Sequence, residues 1–259
     1  MSLLELKDIY KSYRQGGLWG GRRRTEVLKG VNLKVEPGRC LGLLGASGCG
    51  KSTTGRLAVG LEKPDGGELF YRGRELSSLT EDERKLWRRN FQVVFQNSHG
   101  AVNPRHRVWR IISEPLLNYG TGRKEGRERA AELLVRVGLA EKDLDKLPHQ
   151  FSGGELQRVC LARALALKPE FILLDEAVSS LDMLSQSLVL DLLAEVKRDT
   201  AAAFLFISHD LRVLMKVADS LAVMSEGHIS SYLSDLSKIT ASDISRDPAF
   251  MDLTRSVLP

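Results

Sequence analysis

Cysteine is scarce in this chain: Cys40, Cys49 and Cys160 are three among 259 residues, and no CxxC pair occurs. With five scattered histidines they form no recognisable zinc motif. Reduced thiols are therefore expected, as in a cytosolic protein where disulfides are rare. Long apolar runs are missing too. No stretch approaches the ~20 residues of a membrane helix, and the opening "MSLLELKDIY" lacks the charged-then-apolar layout of a secretion signal. A soluble, cytosolic chain is the expectation. Internal repeats and low-complexity segments are also absent. What is present is an ordinary globular balance, 42% hydrophobic and 27% charged, on a length that allows one large domain or two small ones. The net charge is +5, with a cluster at Arg22, Arg23 and Arg24 beside "GGLWGG". Such a run reads as a solvated loop, with contact to nucleic acid or lipid headgroups as the alternative.

The first third alternates. "LLELKDI" and "VNLKV" read as half-exposed strands, "CLGLLG" as a buried strand, and a helix is expected from about Gly50 to Val59, followed by the strand-like "ELFYRG". The middle third is helical in period and charge across "TEDERKLWRRN", "RVWRIISEPLLNY" and "RKEGRERAAELLVRVGL". From Phe171 strands and helices alternate again: "FILLDE", a helix over "MLSQSLVLDLLAEVKRD", "AAFLFISHD", a helix, and "SLAVMSEGHIS". Strand–helix alternation at both ends predicts an α/β fold with a mostly parallel sheet core and a helical insert.

Two stretches carry chemistry. "GASGCGKS", Gly45 to Ser52, fits GxxxxGK[ST] between a predicted strand and a predicted helix. Glycines let successive N–H groups face a phosphate at the positive end of the helix. Lys51 suits the β- and γ-phosphates and the Ser52 hydroxyl suits Mg²⁺. Farther on, "LLDEAVSSLD" sets Asp175 and Glu176 side by side after an apolar strand. Neighbouring carboxylates disfavour each other's ionisation, so a cation should face them. Asp175 is placed to face Mg²⁺, and Glu176 to orient or deprotonate an attacking water. Alone, this pair could equally be a strand ending at a solvated turn.

Between them lies "QFSGGELQRVCLARAL", Gln150 to Leu165, which resembles the signature of ATP-binding-cassette ATPases, with Phe151 for the usual Leu and Glu155 for the usual Gln. With the phosphate loop, Gln96 of "VVFQNS", "SSLD" and "ISHD", five motifs stand in that family's order from about Leu3 to Gly227. The resemblance implies a P-loop NTPase fold with an antiparallel N-terminal β subdomain, a cassette over 3–230 whose helical subdomain spans about 97–165, and a tail over 231–259. It implies ATP and Mg²⁺ as cofactors. Tyr13 would stack on adenine. Gly45, Ala46, Ser47, Gly48, Cys49, Gly50, Lys51, Ser52 and Thr53 would hold the phosphates. Ser52, Gln96 and Asp175 would serve the metal, and Glu176, His209, Lys51 and Gln96 catalysis. Ser152, Gly153 and Gly154 would touch the γ-phosphate held by a partner subunit, with Asp182 in the loop joining the two sites. Cys49, beside a helix N-terminus and Lys51, is expected to have a lowered pKa and to alkylate readily unless Mg-ATP covers it.

The segment "AVNPRHRVWRIISEPL" and the ending "SRDPAFMDLTRSVLP" are similar to the peptide and nickel importer group, although Arg246-Asp247 departs from the usual lead-in. Ala177-Val178, where most relatives have Pro-Thr, resembles the group's nickel-importing members. No cysteine follows Cys160, so no C-terminal iron–sulfur site is expected. The resemblance implies a peripheral subunit on the cytoplasmic face of the cell membrane, paired head-to-tail with a second cassette. Two transmembrane permeases and an extracytoplasmic solute-binding protein would complete the assembly, with no nucleic acid. Import of peptides, or a soluble cassette without transport such as a phosphonate-degradation subunit, are the alternatives; repair or translation cassettes usually need a longer chain.

Overall fold

The computed structural model describes residues 1–15 and 23–236, which form two compact units, one drawn from 1–85 and 203–236 and the other from 86–202. The expected tail motif, Arg22 and the "GGLWGG" stretch lie outside the described residues.

In the first unit, β1 (Leu4–Gln15) pairs antiparallel with β2 (Arg23–Val35), Leu4 opposite Val35. On its other edge β1 meets β4 (Gly66–Tyr71), and β5 (Arg74–Glu75) completes a four-stranded antiparallel sheet. This is the expected N-terminal β subdomain. A second set of strands surrounds β3 (Cys40–Gly45), parallel to β8 (Ala203–Ser208) on one side and β9 (Ser220–Ser225) on the other. All six residues of β3 and of β8 are buried. That burial on both faces is why their sequences are apolar runs rather than alternations. Helix α1 (Lys51–Ala58) follows β3, and α7 (Leu211–Val217) follows β8. The segment "SLAVMSEGHIS" is not one strand: β9 turns back through Glu226-Gly227 into β10 (His228–Leu233), antiparallel to it. Gly227, at φ +88°, makes the reversal possible.

Helix α2 (Glu81–Asn90) leads into the second unit, where β6 (Phe91–Phe95) lies parallel to β7 (Phe171–Asp175). The register sets Phe91 beside Phe171, their rings 4.8 Å apart and nearly parallel, and Phe95 beside Asp175. Strand β6 starts where α2 ends, with no turn residue between. Helices α3 (Val108–Asn118), α4 (Arg123–Arg136) and α5 (Gly153–Leu165) pack on one another through Ile111, Ile112, Leu133, Leu134, Leu156 and Val159, each almost wholly buried. Helix α6 (Met183–Asp199) follows β7. Among the described residues no helix is long and apolar enough to cross a membrane.

Candidate nucleotide-binding site

The phosphate loop begins where β3 ends. A side chain at Gly45 would fall on the Met224 carbonyl and on Cys49 Sγ, and one at Gly50 would meet Leu28 Cδ2 at 2.7 Å and Met224 Cε at 2.8 Å. Gly48 and Gly50 also take positive φ, +82° and +113°. The loop thus sits hard against β2 and β9, which permits no Cβ at either end, while Ala46 and Ser47 stay exposed. Gly50 caps α1 without a side-chain hydrogen bond. Lys51, only 6% exposed, donates from Nζ to the Gly45 and Ala46 carbonyls at 2.7 and 2.9 Å. Its ammonium is held over the loop by the loop's own backbone. Ser52 lies one residue farther into α1, and Thr53 Oγ1 accepts from Arg56 at 3.1 Å.

Because β3 and β8 run parallel with Leu44 opposite Ser208, the loop and His209 leave the same end of neighbouring strands. The sequence gap between them exceeds 150 residues; the register closes it. Asp210 accepts from Arg212 N–H at 2.8 Å and caps α7, and its N–H donates to Ser208 Oγ at 3.0 Å, which fixes the turn carrying His209. Tyr13 lies on β1, half-buried, its hydroxyl donating to Glu62.

The lowered pKa expected of Cys49 does not hold. Burial pushes its thiol above the ordinary range, and the Lys51 charge and nearby backbone bonds that pull the other way are outweighed. Desolvation of the thiolate wins at this half-buried position. Cys160, on α5, is pushed up to about 11 by burial.

In the second unit Asp175 ends β7 at 8% exposure, and Glu176 follows at φ +51°, a left-handed conformation that a non-glycine residue rarely takes. Asp175 is buried and Glu176 half-exposed. Ala177 and Val178 are 2% and 1% exposed. They are apolar anchors under the turn, a role that the sequence does not reveal. Gln96 follows β6; its Nε2 donates to Ser179 Oγ at 3.0 Å, and Ser179 Oγ donates to the Glu176 carbonyl at 3.0 Å. The Gln96 motif and the acid pair are therefore one connected structure.

The signature segment opens α5. Glu155 N–H donates to Ser152 Oγ, while Ser152 N–H and hydroxyl donate to the Glu155 carboxylate at 2.8 and 2.9 Å. Glu155 in place of Gln thus completes a capping box, and those two bonds from Ser152 hold its carboxyl below the usual range. Ser152 and Gly153 are exposed, whereas a side chain on Gly154 would strike Ser185 at 2.6 Å, at the start of α6. Asp182 caps α6, accepting from Ser185 N–H at 3.0 Å. Helix α5 also steadies the segment after Gln96: Gln157, 1% exposed, donates to the Phe95 carbonyl at 3.1 Å, and Arg163 to the Ala101 carbonyl at 2.7 Å.

Ser52 in the first unit, and Asp175 and the Gln96 amide in the second, each carry an oxygen, the ligand type that suits Mg²⁺. Among the described residues no group of three or more His, Cys, Asp or Glu could hold a metal. Of the basic cluster, the described Arg24 pairs with Asp65 at 3.2 Å.

Comparison with known proteins agrees with these motifs. The chain is 45% identical over 258 residues to the nickel import ATP-binding protein NikE of Rhodospirillum rubrum, covering 99% of this chain and 92% of that one. It is 44% identical over 261 residues to its namesake from Brucella suis, covering 100% and 96%, and 46% identical over 230 residues to that of Escherichia coli O157:H7, covering 88% and 86%. In structure it is similar to the bacterial ABC transporter cassette MJ0796, solved as a dimer and in a dimeric post-hydrolysis state with ADP and Pi. The TM-scores are 0.79 and 0.78 at 29% identity, with 90% of this chain and 98% of that one covered. The ABC transporter family model matches residues 28–179, which include the phosphate loop, the signature and the acid pair. With loop, acid pair, signature and histidine each built as described, the chain belongs to the ABC transporter family, as one of its ATP-binding cassettes.

Proposed function

We propose that this chain is the ATP-hydrolysing subunit that powers import of nickel or a nickel chelate through an ABC transporter. One observation carries the reading from cassette to solute: the likeness to nickel import ATP-binding proteins runs through nearly the whole of both chains. The cassette never touches the solute, so nothing in its own chemistry selects nickel. In this reading Lys51 exchanges its bonds to the Gly45 and Ala46 carbonyls for β- and γ-phosphate oxygens. Mg²⁺ bound with ATP, served by Ser52, Asp175 and Gln96, supplies charge neutralisation on the phosphates. Glu176 accepts the proton of the attacking water, His209 senses the γ-phosphate, and Tyr13 stacks on adenine. Ser152 and Gly153, exposed at the start of α5, meet the γ-phosphate held by a second cassette, and Asp182 lies in the joining loop. The assembly is a peripheral cassette pair on the cytoplasmic face of the cell membrane, beneath two permeases fed by a solute-binding protein.

A deletion strain tests the solute. It should lose urease or hydrogenase activity when nickel is scarce, and excess external nickel should restore it. In vesicles, the transporter's ATPase should respond to nickel-loaded binding protein and little to peptide-loaded protein. Normal nickel accumulation with dipeptide uptake lost would assign the chain to peptide import.

A further inference from the structure

The hydroxyl of Tyr13 donates to one oxygen of Glu62, and the other Glu62 oxygen pairs with Arg56 Nε at 2.5 Å. The Arg56 guanidinium reaches Tyr13 Oη at 3.5 Å and Thr53 Oγ1 at 3.1 Å. Arg56 and Thr53 both belong to α1, the helix that starts at Lys51. Tyr13, on a separate sheet, is thereby fastened to the helix that carries the phosphate residues. Lys11 stands over the ring, 5.6 Å from its centre, and is itself fixed by the Lys63 carbonyl at 2.6 Å and Asp65 at 3.6 Å. The ring is therefore fixed at its hydroxyl and flanked by a cation on one face.

We propose that Glu62 is a positioning residue for nucleotide binding: with Arg56 it locks the Tyr13 ring, so that base and phosphate subsites keep a fixed spacing. The inference rests on the reading of Tyr13 as the adenine platform. A half-buried tyrosine on an exposed strand would otherwise sample ring orientations, and stacking would have to order it. Fixing the phenol in advance removes that cost from binding. Burial works against the Glu62 carboxylate, but the bonds from Tyr13 and Arg56 outweigh it and hold its pKa below the usual range, so the anchor is charged under working conditions. Glu62 stands in none of the five motifs, in the "GLEKPDGG" turn after α1.

The test uses the purified full chain with two ligands, Mg-ATP and Mg-tripolyphosphate, which carries phosphates without a base. Tyr13→Ala should weaken ATP about fivefold or more, the range for losing a base–aromatic stack, and leave tripolyphosphate unchanged. Glu62→Ala and Tyr13→Phe should each weaken ATP about two- to fivefold, again without effect on tripolyphosphate. Glu62→Gln, which keeps an acceptor for the phenol, should recover part of the loss, and Glu62→Ala should add nothing in a Tyr13→Ala background. Equal losses for ATP and tripolyphosphate in Glu62→Ala would show damage to the phosphate loop and overturn the proposal. So would parental ATP affinity in Glu62→Ala while Tyr13→Ala is weakened. Parental affinity in Tyr13→Ala itself would instead remove the adenine platform on which the proposal stands.

Discussion

In the proposed function Lys51 binds phosphate and Glu176 acts as the base, so their substitutions should fail differently. Lys51→Ala removes a charge-assisted phosphate contact and should weaken ATP binding itself; equal affinity in variant and parent, by titration calorimetry, would overturn its role. Glu176→Gln keeps the shape and the left-handed turn but cannot take the water's proton. ATP binding should persist while steady-state hydrolysis in the assembled transporter falls by about 10²-fold or more; unchanged turnover would remove Glu176 as the base. Cys49, half-buried with its thiol pushed upward, should react slowly with iodoacetamide near neutral pH and faster as pH rises through its elevated pKa. Rapid labelling at pH 7 would contradict that environment. At this scale the sequence was legible where a motif fixes residue type and spacing together, as at Lys51, Ser52 and Asp175. It misled on Cys49, where burial outweighs two local effects that point the other way. It was silent on Ala177 and Val178, whose burial under the turn is a tertiary fact.

Among elements, the β9–β10 turn has a role that no motif announces. Gly227 N–H donates to the Cys49 carbonyl at 3.1 Å, and its carbonyl accepts from Lys29 N–H at 2.8 Å, so the turn ties the phosphate loop to β2. A side chain there would meet the Val27 carbonyl at 2.5 Å at a φ of +88°. Gly227→Ala should therefore cost stability by about 1–2 kcal/mol from backbone strain alone. Unlike Glu62→Ala, it should weaken ATP and tripolyphosphate alike; parental binding of both would mean that the loop holds its shape without the turn. The helices and the buried strands β3, β7 and β8 were legible from period and apolar runs. Strand β6 was not, because it leaves α2 directly at Asn90-Phe91 and lacks the Gly or Pro that usually announces a strand. The β9–β10 reversal was also missed, since a two-residue turn at Glu226-Gly227 looks, in sequence, like a pause within one strand.

For the whole molecule the prediction is association driven by nucleotide. Helix α5, thirteen residues long, has an exposed N-terminus, with Ser152 and Gly153 outward and Glu155 turned back into the capping box. Backbone N–H groups at such an end favour an anionic ligand. In the proposed function the γ-phosphate held by a neighbouring cassette is that ligand. Glu176→Gln, which binds ATP without consuming it, should trap the associated state. Mixed with its companion cassette and Mg-ATP, it should elute as a two-cassette species, and with Mg-ADP as separate chains. Ser152→Arg in the same background places a bulky cation at the helix start, where it cannot fit between the helix and a phosphate. The two-cassette species should then be lost while binding of ATP to the chain's own loop, which depends on Lys51, stays at the parental level. Elution that is identical in ATP and ADP would overturn association through this helix end. Retention of the complex by Ser152→Arg would do the same, because the phosphate would then be held by other groups.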